Sequence, residues 1–248
     1  MKPMRCLALL LLVPGTATSQ PAAEPAQAVE LLGTVGGRAA VMQLFSTPQS
    51  DGGARLSGDY VMLPTLQQRF VDGERSKQLG VTFLREGTSP IFYGRPPGST
   101  LQGTWSAGVL KGTRYGPSGQ QRERFEFSEQ FPSMDAYSGA ARCEVADERY
   151  AASLSYVIEA GRLKSLEWRS KTSPSDHPCA VTGLRQVAFA GGLRFASGKC
   201  SVTLRDLGDQ VRATAENCAE FCASQAYLEP MLVDRRGQCQ VLRPVQGR

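Results

Sequence analysis

The chain has 248 residues, with 28 lysines and arginines against 23 aspartates and glutamates and a single histidine. The basic residues are scattered and form no long stripe that alternates with aromatic residues, which argues against a nucleic-acid-binding protein. No apolar run approaches the roughly 20 residues that a membrane-spanning helix needs, so we predict no transmembrane segment in the mature chain.

The first 19 residues have the three parts of a secretory signal peptide. Two basic residues precede a short apolar run, Leu7–Val13, and Ala17–Ser19 provides the small residues typical of a cleavage site. We predict that residues 1–19 are removed on export, and that residues 20–28, rich in proline and alanine, form a disordered lead-in. The predicted location is therefore periplasmic or secreted.

Residues 29–131 predict an N-terminal domain of short antiparallel strands. Gly36-Gly37 separates the apolar segments Glu30–Val35 and Arg38–Phe45 and is typical of a hairpin turn. Arg122–Phe127 alternates polar and apolar residues, as a half-buried strand does. Such segments, bounded by Gly, Ser and Pro, predict an all-β antiparallel meander, closed as a barrel or stacked as a sandwich.

Residues 140–245 predict a second β domain that contains all six cysteines left after cleavage. An even number of cysteines in an exported chain predicts three disulfides. These bridges would compensate for the modest core of a small domain. The same domain contains the best helical segment of the chain, Ala219–Leu228, which predicts one short helix ending before Pro230.

A sequential disulfide pairing is the prediction, although the spacing also allows other connectivities. Cys143 and Cys179 flank a hairpin signature, and Cys200 and Cys218 fall near the open ends of a second predicted hairpin. That leaves the last two cysteines for each other. The predicted bridges are Cys143–Cys179, Cys200–Cys218 and Cys222–Cys239.

Two glycine-aromatic pairs lie along the N-terminal domain, Gly58 with Tyr60 and Gly103 with Trp105, and Leu84 and Glu86 lie between them. This G-x-Y, L-x-E, G-x-W order resembles a β-meander pattern of exported, mostly uncharacterised bacterial proteins. The resemblance covers roughly residues 29–130. It implies a fold and a compartment, and it implies no activity.

The segment Ser57-Gly58-Asp59-Tyr60 also resembles the Ser-Gly-x-x-Tyr loop of periplasmic lysozyme inhibitors, although it is one residue shorter. The inhibitors' Lys-Gly motif has only a loose counterpart in Lys111-Gly112. The resemblance implies a loop that enters the cleft of a cell-wall hydrolase. We therefore predict a binding site at Ser57, Gly58 and Tyr60, with Trp105 as a further aromatic contact.

The sequence lacks the motifs of several well-known sites. Cys218 and Cys222 are spaced C-x₃-C rather than C-x-x-C, and His177 is the single histidine, so structural disulfides are favoured over a regulatory disulfide or a zinc site. His177 follows Asp176 in a turn-rich segment that predicts an exposed loop. No G-x-S-x-G, H-E-x-x-H or phosphate-binding glycine motif occurs. We predict no catalytic residue, no metal and no cofactor.

The leading functional hypothesis is a non-enzymatic binding or envelope-accessory protein, with an envelope protein or a glycan as its partner. Inhibition of a cell-wall hydrolase is its specific form. The alternative is a carboxylate-dependent hydrolase acting on envelope glycan or peptide, since acidic residues are plentiful between Glu126 and Glu167, although no pair is singled out. A third hypothesis is a purely structural envelope component.

Overall fold

The computed structural model describes residues 27–63, 65–88, 98–173, 177–223 and 226–242. Within these residues the regular structure is β-strand, apart from one turn of 3-10 helix, Ala219–Phe221. The first eight strands form a closed barrel, and the later strands form a four-stranded and a six-stranded sheet. The prediction of an antiparallel all-β fold in two parts is confirmed.

The barrel closes because its first strand pairs with both its second and its last strand. Every other neighbouring pair in the barrel is a hairpin-connected antiparallel pair. The eight strands are β1 (Gln27–Val35), β2 (Arg38–Pro48), β3 (Ala54–Met62), β4 (Gln67–Arg75), β5 (Val81–Gly87), β6 (Ser99–Ser106), β7 (Val109–Tyr115) and β8 (Arg122–Ser128).

Alternate residues of the barrel strands point inward and fill the interior with apolar side chains. On β2 these are Ala40, Met42 and Leu44, and on β8 they are Phe125 and Phe127, all of them buried. Burying each such large side chain contributes about 1.5–3 kcal/mol. The centre of the barrel is therefore filled by a packed apolar core.

Inward-facing glycines allow neighbouring barrel strands to approach closely. A Cβ atom added to Gly58 would lie 1.9 Å from the backbone oxygen of Gln43, and one added to Gly73 would lie 1.9 Å from that of Phe83. No side chain fits there without moving the adjacent strand, so these positions require glycine. The close approach of strands in a small barrel thus explains why the G-x-Y motif begins with a glycine, Gly58.

The C-terminal half is a sandwich of two sheets. The first sheet has the order β12-β11-β10-β9, and the second runs from β13 to β18 in sequence order. The strands are β9 (Gly139–Ala146), β10 (Tyr150–Glu159), β11 (Arg162–Thr172), β12 (His177–Val181), β13 (Arg185–Val187), β14 (Leu193–Ser197), β15 (Cys200–Asp206), β16 (Gln210–Glu216), β17 (Met231–Asp234) and β18 (Cys239–Val241).

The six-stranded sheet is the middle layer of the molecule, because both of its faces are covered. One face packs on the four-stranded sheet, where Trp168 and Phe195 belong to the same buried cluster. The other face packs on the outside of the barrel, where Leu232 meets Val41 and Val61. The strand β16 consequently has four consecutive buried residues, unlike the alternating pattern of β10.

All six described cysteines form disulfides, and one of the three predicted bridges is present. The structure has Cys200–Cys218, which closes the β15–β16 hairpin at its open end as predicted. The other two bridges are Cys143–Cys239 and Cys179–Cys222. The predictions Cys143–Cys179 and Cys222–Cys239 are wrong.

The geometry of the four-stranded sheet explains this error. Cys143 lies on β9 and Cys179 on β12, at opposite edges of the sheet. Three strand spacings of about 4.8 Å separate these edges, whereas a disulfide needs Cα atoms within about 7 Å. Cys143 instead reaches β18 of the second sheet, and the bridge with Cys239 joins the two sheets of the sandwich.

The predicted helix at Ala219–Leu228 is reduced to the 3-10 turn Ala219–Phe221. Cys222 has extended backbone dihedrals, forms an isolated β-bridge with Cys179 and is disulfide-bonded to it. This cross-link draws the chain out of helical geometry after one turn. The helical composition of the segment is therefore overridden by a tertiary contact.

The described strands give the starting points of the two parts. The barrel starts at Gln27, inside the predicted lead-in of residues 20–28, and the sandwich starts at Gly139. The predicted signal peptide, the rest of that lead-in and residues 243–245 lie outside the described residues.

Candidate functional site at one end of the barrel

The predicted binding residues Ser57, Gly58 and Tyr60 lie in strand β3. Tyr60 is only 2% exposed, and its ring packs in the barrel core at 6.3 Å from the ring of Phe127. The expectation of an exposed Gly58–Tyr60 loop is therefore wrong. Loop formation is excluded because the whole segment is paired with β2 on one side and β4 on the other.

Trp105, the fourth predicted binding residue, lies on β6 and is half-buried. Its ring packs against the barrel core, and the guanidinium of Arg75 lies 5.6 Å from the ring centroid. This cation-π contact partly covers the ring face that a sugar would use. Trp105 lies near the end of the barrel opposite the turn Gly36-Gly37, because β6 runs away from that end.

Five polar residues form one connected network inside the barrel, at the end near the turn between β1 and β2. The Tyr60 hydroxyl donates to Glu86 Oε2 at 2.6 Å. Arg114 donates from Nε and Nη2 to the two Glu86 oxygens at 2.7 and 2.8 Å. The same guanidinium donates to Ser99 Oγ at 3.0 Å and to Glu123 Oε2 at 2.8 Å. We name this end the mouth and these five residues the mouth cluster.

The electrostatics of the mouth cluster follow from burial and from the Glu86 carboxylate. Burial, reinforced by the neighbouring Glu86 carboxylate, raises the pKa of the Tyr60 hydroxyl well above its ordinary range. Hydrogen bonds to Glu86 raise the pKa of Arg114, so its guanidinium stays charged. Tyr60 is thus a fixed hydrogen-bond donor, and Arg114 is a fixed cation.

Two further arginines occupy inward-facing positions at the mouth. Arg38 lies at the start of β2, with Nη2 at 3.3 Å from Glu123 Oε1, and its side chain is 57% exposed. Arg69 on β4 lies directly opposite Tyr60 in the strand register, so both side chains are on the same inner face. In the described part of the mouth, three guanidinium groups are therefore combined with the two carboxylates of Glu86 and Glu123.

A second polar network lies between the barrel and the sandwich. On the outer face of the barrel, Glu30, Gln43 and Asp59 are register partners across β1, β2 and β3. Arg205 and Arg212 of the six-stranded sheet cover this row. Arg205 Nε donates to Glu30 Oε2 at 2.7 Å, and Arg212 Nη2 donates to Gln43 Oε1 at 3.1 Å. We name these five residues the seam.

The seam is buried and incompletely hydrogen-bonded. Arg212 Nε lies 3.2 Å from Glu30 Oε1, but neither atom makes a hydrogen bond. Burial raises the pKa of Asp59 to about 6, against the opposing attraction of Arg212. Arg212 and Asp59 are only 1% and 2% exposed, so these two charged groups are not accessible to a partner. The seam joins the two halves of the molecule.

The acidic residues considered for hydrolysis are distributed over the surface. Those between Glu126 and Glu167 are exposed or half-exposed on strand faces and turns of both halves. In the described part of the chain, no group of three or more His, Cys, Asp or Glu side chains is arranged to hold a metal ion. Asp176 lies outside the described residues, and His177 begins strand β12 instead of lying in the predicted loop.

Sequence reasoning missed Arg69, Arg114 and Arg212. Arg114 follows Leu110 and Gly112 at the alternating inward positions of β7, so a signal for an inward-facing charge was present. Arg69 gave a weaker signal, because β4 is largely polar and was not predicted as a strand. Arg212 gave no signal, since its burial depends on how the barrel packs on the sandwich.

The fold and the mouth cluster define a closed eight-stranded barrel joined to a disulfide-linked β-sandwich. Comparisons with protein-family models, with curated proteins and with solved structures found no match. Among the described residues, none of the helical structure is long and apolar enough to span a bilayer.

Proposed function

We propose that this chain is an exported, non-enzymatic binding or accessory protein of the bacterial cell envelope, and that its contact site is the mouth of the barrel. The observation that carries this proposal is the hydrogen bonding of the Glu86 carboxylate. Both of its oxygens are occupied by Arg114, and one also accepts a hydrogen bond from Tyr60. A carboxylate held in this way stabilises a scaffold and has no free oxygen for acid-base chemistry.

The disulfides support the assignment to an oxidising compartment. Three bridges connect six cysteines, and such pairing is typical of secreted and periplasmic proteins. The N-terminal residues with the composition of a signal peptide point to the same route.

The mode of binding differs from that implied by the lysozyme-inhibitor resemblance. That mode needs an exposed tyrosine loop, and Tyr60 is buried within a strand. The proposed contacts are instead side chains at the rim of the barrel, above all Arg38 and Arg69.

Co-sedimentation of the mature protein with purified peptidoglycan sacculi tests this function. We expect wild-type protein to pellet with sacculi and the double variant Arg38→Gln/Arg69→Gln to remain largely in the supernatant. The matched control is the double variant Arg124→Gln/Arg162→Gln, which removes the same two charges from exposed positions on β8 and β11. Wild-type protein that does not pellet, or that pellets equally well with both mouth charges removed, contradicts the proposal.

A further inference from the structure

Among the residues that the structure describes, the mouth of the barrel contains one more guanidinium group than carboxylates. Arg114 is bonded to both Glu86 and Glu123, and Arg38 shares the second of these carboxylates. This arrangement uses both carboxylates that the described residues place on the inner face at this end. The third guanidinium, that of Arg69, has no carboxylate partner in the described part of the chain.

The surroundings of Arg69 within the described residues contain no carboxylate for it. Its one hydrogen bond is a donation from Nη2 to Gln67 Oε1 at 3.4 Å. The nearest acidic residue on its own strand, Asp72, faces outward and is bonded to Arg55 and Arg85. Arg69 is half-buried, so its charge is only partly solvated.

The guanidinium of Arg114 shows how an arginine on this inner face binds a carboxylate. It holds Glu86 through two parallel N–H···O bonds, with a serine hydroxyl completing the contact. A planar guanidinium matches carboxylate and phosphate oxygens in this bidentate way. Arg69 can bind a carboxylate or phosphate group of a ligand through the same pair of parallel N–H donors.

We propose that the mouth of the barrel binds a carboxylate or phosphate group through Arg69, with Arg38 as the second cation at the rim. The proposal rests on the function proposed above and names the chemistry of its ligand. The ligand's anionic group neutralises the positive charge of Arg69. The Gln67 side chain, exposed on the same inner face two residues from Arg69, provides a further hydrogen-bond donor.

Titration with inorganic phosphate and with acetate, followed by the ¹H–¹⁵N signals of the arginine Nε–H groups, tests the site. We expect the Arg69 signal to shift in a saturable manner and the Arg114 signal to stay nearly constant. Because a charge-assisted hydrogen bond is lost, Arg69→Gln should weaken the affinity roughly tenfold or more. The two titrations distinguish phosphate from carboxylate as the preferred group.

The control is Arg124→Gln, which changes the net charge equally and leaves the mouth intact. We expect it to bind phosphate or acetate as the wild type does. Equal weakening by Arg124→Gln and Arg69→Gln, or the absence of a saturable shift with both anions, overturns the inference. Arg69→Gln should unfold at the wild-type temperature, because Arg69 has only one weak internal contact.

The two proposals fail in different ways. If sacculi retain the protein but neither anion shifts Arg69, the anion site is wrong and the binding function stands. If the anions bind at Arg69 but sacculi do not retain the protein, the anion site stands and the proposed function is wrong.

Discussion

At the scale of single residues, the barrel combines two kinds of interior. Its centre contains apolar side chains such as Leu31 and Phe127, whereas its mouth contains an arginine bonded to two carboxylates. Removing one partner of such a partly buried ion pair leaves an uncompensated charge, which costs more than the pair itself contributes. Glu86 is the residue on which this network depends, because it bonds both Arg114 and Tyr60.

The substitution Glu86→Gln should lower the free energy of unfolding by about 2–3 kcal/mol, because Arg114 then has only Glu123 as a counter-charge. Urea denaturation at neutral pH measures the change. The matched control is Glu126→Gln on the exposed outer face of β8, which should shift stability by less than about 0.5 kcal/mol. Equal stability of the two variants would show that the network contributes little.

At the scale of elements, disulfides provide stability that the short strands of the sandwich cannot provide by their own pairing. Several of its strands have only three to five residues, including β13, β14 and β18. The bridge Cys143–Cys239 closes a loop with a sequence separation of 96, and Cys200–Cys218 one with a separation of 18. In the chain-entropy model, the longer loop gives the greater restriction of the unfolded chain.

Replacing Cys143 and Cys239 together by serine should therefore destabilise the protein more than replacing Cys200 and Cys218. The chain-entropy relation gives losses of about 4.7 and about 3.2 kcal/mol, respectively. Guanidinium denaturation of both double variants under identical conditions provides the comparison. A larger loss from the Cys200/Cys218 variant would contradict the loop-length argument.

At the scale of the whole molecule, the seam couples the barrel to the sandwich. Apolar contacts such as Val61 with Leu232 surround a buried polar row that includes Asp59 and Arg212. The pKa of Asp59 is raised from 3.8 to about 6 by burial. The folded protein then binds a proton more tightly than the unfolded chain does, so the contribution of Asp59 to stability falls as the pH rises through this window.

The substitution Asp59→Asn should remove the loss of stability that accompanies the rise in pH. Above pH 6 the variant should be more stable than the wild type, by at most roughly 3 kcal/mol. The groups that face Asp59 are Arg212, Glu30, Gln68 and Gln43, and all remain in the variant. Denaturation between about pH 4 and pH 8 measures both profiles.

The control for this profile is Asp209→Asn, which changes an exposed carboxylate in the turn between β15 and β16. Its stability curve should run parallel to that of the wild type. A parallel curve for Asp59→Asn as well would mean that Asp59 does not titrate in the seam.

Local features of the sequence predicted the parts of the fold that depend on local interactions. The turns at Gly36-Gly37 and Gly161 and the alternation of Arg122–Phe127 identified strands and hairpins that the structure contains. The pairing of Cys200 with Cys218 followed from a hairpin. Strand β4 was missed because its residues are mostly polar, with only Phe70 and Val71 buried.

The sequence by itself determined that this protein is all-β and that six of its seven cysteines belong to the second half, since the alternation of apolar residues and the positions of the cysteines can be read directly from the chain. Only the tertiary structure decided the pairing of β1 with β8, the partners of Cys143 and Cys179, and the burial of Arg212. The same holds for the inward position of Tyr60 beside Glu86 and Arg69. These features depend on which strands become neighbours, and contacts between distant segments set that choice.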